Sequence, residues 1–155
     1  MKKYLITLCA FFLTIPSTFA MSAQPGLLID QAWVQEGPPN ARVLAGFMHI
    51  KNNSDQIISI VSAQSKQFKK IEFHRTVHAD GMARMVKQEN LTIKPGEILK
   101  LEHGGFHLML ITPVNTLKAG DKVDMSLTLS SQSVIPLSLE VRTPDQDQMQ
   151  HHHHH

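Results

Sequence analysis

From Leu27 to Val141 the chain is a succession of short aliphatic and β-branched runs, each closed by turn residues. That pattern leaves little room for anything but strands. Leu27 to Val34, Arg42 to Lys51 and Gln56 to Ala63 read as the first three. Gly37-Pro38-Pro39-Asn40 and Asn52-Asn53-Ser54-Asp55 punctuate them. Lys70 to Val77 alternates, with Ile71 and Phe73 on one face and Glu72 and His74 on the other. Leu91 to Lys94 and Glu97 to Glu102 flank Pro95-Gly96, where proline presets one turn dihedral and glycine takes the positive one. Gly104-Gly105 turns the chain before His107 to Thr112, and Val123 to Leu129 with Val134 to Val141 predicts a closing hairpin. Only Ser62 to Lys70 leaves space for a short helical or irregular piece. The fold expected is all-β, an antiparallel sandwich or barrel in one domain.

The ends are not part of that domain. Lys2 and Lys3, the apolar run Tyr4 to Ile15 and the small residues ending at Ala20 describe a secretory leader over residues 1–20. The run is too short to span a bilayer, so no membrane anchor is expected in the mature form. Cys9 lies inside the run behind Leu8, which does not suit lipidation, and it is the single cysteine. The exported chain is therefore expected to work in the periplasm without disulfides, on one hydrophobic core formed by residues 21–142. With Lys2 and Lys3 set aside, Lys and Arg equal the 13 Asp and Glu, so no basic stripe points to nucleic acid. Residues 143–155 turn polar and end in Met149, Gln150 and five histidines, a tail expected to be flexible.

Chemistry concentrates in His74, Met85, His107 and Met109. Two imidazoles and two thioethers without a thiolate suit a soft ion of low charge such as Cu(I). Thioethers cannot form disulfides, and neutral ligands leave the site with only the ion's own charge. Such a site holds copper without blocking its release. Asp80-Gly81 is a strong two-residue hairpin signal. That register sets Ala79 against Met82, His78 against Ala83 and Thr76 against Met85. His74 and His78 are then both diagonal to Met85 on one face, and periodicity does not choose between them. His107 and Met109, two apart on a strand, share a face, with Leu108 and Leu110 turned to the core.

At these residues the chain resembles the periplasmic copper chaperone family PCu(A)C. That family carries a His, ten residues, a Met, twenty-one residues and His-x-Met, which here are His74, Met85, His107 and Met109. Glu72-Phe73-His74-Arg75-Thr76-Val77, Gly104-Gly105-Phe106, Ala32-Trp33-Val34 and Gly46-Phe47-Met48 agree with it, and the resemblance spans Leu27 to Arg142. It implies a cupredoxin-like Greek-key β-barrel or sandwich and Cu(I) held by those four side chains, with His74 chosen over His78. It also implies delivery toward the copper site of cytochrome c oxidase, to an oxidase subunit or another copper-assembly factor. Some members carry a Met- and His-rich extension that binds Cu(II). Met149, His151, His152, His153, His154 and His155 look similar, although a purification tag would also explain five histidines.

Taken singly, each residue has a plainer explanation. Met85 or Met109 alone would be core filler, and His74 an exposed strand residue. His103 and His49 read as surface, Met48 as core and Trp33 as a core aromatic. Nothing resembles a nucleophile triad, a carboxylate pair or a cofactor loop, so no enzyme is expected. A blue-copper electron carrier needs a thiolate. A periplasmic copper buffer is the alternative, since the same four ligands would serve it.

Overall fold

The computed structural model describes residues 26–144. The leader expected over residues 1–20 and the tail residues Met149 and His151 to His155 lie outside the described residues. Ten strands form: β1 (Leu27–Gln35), β2 (Val43–Asn52), β3 (Ile58–Gln64), β4 (Phe68–Ala79) and β5 (Met82–Gln88), then β6 (Leu91–Ile93), β7 (Ile98–Leu101), β8 (Phe106–Pro113), β9 (Lys122–Leu129) and β10 (Val134–Arg142). They hydrogen-bond in the order β5-β4-β8-β7-β2-β1-β10-β9-β3-β6, with β8 also against β2. Nine of these strands contribute to one buried cluster, β5 being the exception, so the sheet wraps around a single core. Val34, Ile60, Ile93, Leu108, Leu110, Val123, Leu139 and Val141 are fully buried in it.

One expectation needs correction. The sheet is not purely antiparallel, because β1 runs parallel to β10 through Trp33↔Glu140, Val34↔Val141 and Gln35↔Arg142. β1 also carries a bulge between Asp30 and Trp33, where Gln31 takes φ 49°. A bulge bends its strand and raises the local twist. The second half of β1 is bridged to β10 while Trp33 still faces Phe47 on β2. Of the two possibilities for Ser62 to Lys70, helical or irregular, the irregular one forms. β3 runs to Gln64 and β4 starts at Phe68, leaving a three-residue turn. Ser65 Oγ donates to the Asp124 carbonyl at 2.6 Å, and the Gln67 amide bonds the Lys122 carbonyl and the Asp124 N–H. The turn is sewn to the start of β9 rather than wound on itself.

Pro95-Gly96 makes a corner rather than a hairpin. β6 pairs with β3, while β7 pairs with β2. The fully buried Asn52 secures that corner. Its Nδ2 donates to the Ile93 and Gln56 carbonyls at 2.9 and 2.7 Å, and its Oδ1 accepts from Ser54. Gly96 N–H donates to the Asn52 carbonyl at 2.8 Å. A buried amide is tolerated only with partners, and this one is satisfied on both ends.

Candidate metal centre

Two ladders set the geometry. In the β4–β8 pairing His74 stands directly opposite His107, and Glu72 opposite Met109. One residue over, Phe73 meets Leu108 on the core side. In the β4–β5 hairpin Ala79 pairs Met82, His78 pairs Ala83, Thr76 pairs Met85 and His74 pairs Lys87. Asp80 and Gly81 turn that hairpin with φ 53° and 73°, the pair of positive dihedrals that matches strand twist. Met85 is therefore diagonal to His74, at a separation long side chains can bridge.

The same registers separate the two histidines that periodicity leaves equivalent. The β4–β8 ladder ends at Arg75↔Phe106, so β8 never reaches His78. His78 is exposed, whereas His74 and His107 are buried with ring centroids 6.0 Å apart. Met85, His107 and Met109 line one open depression of about 250 Å³, walled by Val43, Ala45 and Pro38. His74 lies against His107 behind it.

Hydrogen bonds decide which nitrogens are free. Glu72 Oε2 lies 3.0 Å from His74 Nε2 and accepts its proton. That leaves the lone pair on Nδ1, which is buried and has no hydrogen-bond partner among the described residues. His107 Nδ1 donates to the Gly105 carbonyl at 3.2 Å, leaving its lone pair on Nε2. Each ring thus has one nitrogen oriented by a hydrogen bond and the other available to a metal. Burial, above all, lowers the His107 pKa below the usual imidazole range, and the neighbouring His74 and His103 add to that, against the Gly105 hydrogen bond. An unpaired buried nitrogen costs about 1–3 kcal/mol, which a bound ion would offset.

Glu72 is the residue that sequence reasoning passed over. Its carboxylate also meets Lys70 Nζ at 2.6 Å and Lys87 Nζ at 3.4 Å. The Lys70 bond first, then those from His74 and Lys87, bring its pKa from 4.5 to about 2 against the opposing effect of burial. Lys87 is on β5, two residues from Met85, so this network fastens the Met85 strand to His74. The signal was present as a carboxylate two residues before a histidine on the same face.

Other expectations fall in place or shift. Met48 and Trp33 are buried. His49 is half-buried, 3.6 Å from Asp30. His103 is more than a solvated surface group: its ring packs on Phe47 at 4.2 Å and on Trp33 at 6.0 Å, and Nε2 bonds Gln35 at 2.8 Å. Its place after Glu102 on the β7–β8 turn brings it over β2. Among the described residues, no three His, Cys, Asp or Glu side chains converge as a metal cage. A hard, carboxylate-rich site is thus absent there, while the His–Met set suits a soft ion.

A family model described as putative lipoprotein LpqE-like matches residues 27–141. The putative lipoprotein Lxx21020 of Leifsonia xyli subsp. xyli is 28% identical over 138 residues, 88% of this chain and 82% of that protein. The solution structure of Cu(I)-DR1885 from Deinococcus radiodurans is 30% identical, with TM-score 0.64, covering 79% of this chain and 81% of that one. The copper-bound PCuAC domain from PmoF2 aligns with TM-score 0.66 over 79% of this chain and 97% of that domain. At 16% identity it shows the shared cupredoxin-like fold alone.

Proposed function

The chain belongs to the LpqE-like family of PCuAC-type proteins, and on that premise we propose that it is a copper chaperone of the periplasm. His74, Met85, His107 and Met109 bind Cu(I), which is its cargo and not a resident cofactor. The observation that carries this reading is the β4–β8 register, which sets His74 opposite His107 with a free buried nitrogen and brings Met109 alongside. The leader of residues 1–20 and the lipoprotein names of the relatives support export. Delivery runs toward cytochrome c oxidase copper-site assembly, to an oxidase subunit or another assembly factor. Met149 and His151 to His155 supply a second, Cu(II) site.

Exposure of the ligands favours delivery over buffering. Met85 is 63% exposed on the outermost strand, while both histidines are buried. An incoming ligand can therefore take the place of Met85 first, with the histidines still holding the ion. A storage site would be expected to enclose all its ligands.

Met109→Leu tests the ligand set. Leucine keeps the volume, so stability should change by less than about 1.5 kcal/mol. Loss of the sulfur should lower Cu(I) affinity roughly tenfold or more in competition with a chromogenic chelator. An unchanged affinity removes Met109 from the set. X-ray absorption of the loaded protein should count two sulfur and two nitrogen neighbours.

Glu72→Gln should act through His74. A metal-bound histidine loses about 10–100-fold in affinity when its outer partner is removed. The carboxylate's folded pKa is depressed, so its contribution to stability is complete above about 4.5 and is lost as pH falls through about 2. The variant should therefore bind Cu(I) more weakly and show a flatter acid-unfolding curve. A curve that superimposes on the parent's would show that Glu72 anchors nothing.

A further inference from the structure

Among the described residues β5 is the last strand of the sheet and pairs with β4 alone, so its outer edge up to Met85 offers backbone N–H and C=O groups to another strand. Six of its seven residues are exposed, among them Met82, Met85 and Val86. Long exposed edges with apolar side chains invite pairing with another chain. On the face away from Met85, register places Met82, Arg84 and Val86 beside Val77 and Arg75.

Charge on this arm is uneven. From Arg75 to Lys87 there are three cations, Arg75, Arg84 and Lys87, against Asp80. Elsewhere in residues 26–144 ten Lys and Arg balance ten Asp and Glu. The whole formal excess of the described domain therefore sits on the hairpin that carries the exposed sulfur. Bound Cu(I) adds one more positive charge beside it.

The geometry points to the β5 edge as the docking surface for a partner protein with an acidic, extended segment, which sets its own copper ligand beside Met85. Two β5 strands paired with each other would bring like-charged arms together along one edge, which disfavours a second copy. A carboxylate facing Arg84 satisfies it instead, Lys87 being already held by Glu72, and opposite charge speeds and orients the encounter. Three cations on a narrow arm give only weak attraction to an anionic lipid surface. This docking site rests on the copper reading, because it explains why the partner must meet Met85.

Two synthetic peptides test it, with the same methionine-containing Cu(I)-binding core flanked by glutamates in one and by lysines in the other. Anisotropy of fluorescein-labelled peptides measures docking on the metal-free protein, and stopped-flow absorbance measures copper transfer from the loaded protein. At low ionic strength the glutamate peptide should bind and take copper at least about tenfold better. The difference should collapse near ~1 M salt. Arg84→Glu should erase it, and Arg84→Gln should reduce it, with Cu(I) affinity unchanged in both. Equal behaviour of the two peptides overturns the proposal. So does an Arg84-dependent dimer of the protein, or Arg84-dependent binding to phosphatidylglycerol vesicles that exceeds binding to the glutamate peptide. If Cu(I) does not load at all, the copper reading fails, while anisotropy on the metal-free protein still decides the docking.

Discussion

Replacing His74 by leucine should lower Cu(I) affinity more than about 100-fold, and the same change at His78 should leave it unaltered. Losing only the outer partner of a metal-bound histidine costs about 10–100-fold, so losing the ring itself should cost more. His74 stands opposite His107 in the ladder and has a buried nitrogen without a partner. His78 lies past the last β4–β8 pair and is exposed. The fold should tolerate His74→Leu. The substitution removes an unsatisfied nitrogen worth about 1–3 kcal/mol, while Glu72 keeps Lys70 and Lys87. Chelator competition and urea unfolding on both variants are sufficient. Comparable affinity losses at the two positions would sink the register-based ligand set.

That contrast shows where the sequence was informative. The hairpin from Ala79 to Met82 was legible because Asp80-Gly81 has few alternatives, and its register followed residue by residue. His107 and Met109 sharing a face followed from strand periodicity alone. His74 and His78 could not be separated in this way. Their difference depends on where β8, more than twenty residues away in the chain, stops pairing with β4. Strand partners distant in sequence leave no local trace. The parallel β1–β10 ladder was hidden for the same reason, since its two strands stand at opposite ends of the domain's sequence. Glu72 was visible as a residue but not as a hub, because Lys70 and Lys87 reach it from two strands.

Leu108→Ala should damage the fold severely. Leu108 is fully buried between the two proposed ligands His107 and Met109, on the opposite face of β8. It packs across from Phe73 on β4 and Gly46 on β2. A Cβ added at Gly46 would come within 3.3 Å of the Leu108 Cβ, so this part of the core is closely packed. Leu→Ala at such a site costs about 3–5 kcal/mol through lost burial and the cavity left behind. For a domain of this size the melting temperature should fall by about 10–20 °C. Copper should then distinguish damage to the core from damage to the site. The substitution leaves every ligand atom in place, so an excess of Cu(I) near 1,000 times its dissociation constant should restore about 4 kcal/mol. Met109→Leu should show the reverse, a nearly normal melting temperature with weakened copper stabilisation. A Leu108→Ala protein that melts within 3 °C of the parent would mean that β8 is not the core strand carrying the site, and the arrangement of His107 and Met109 would fail with it.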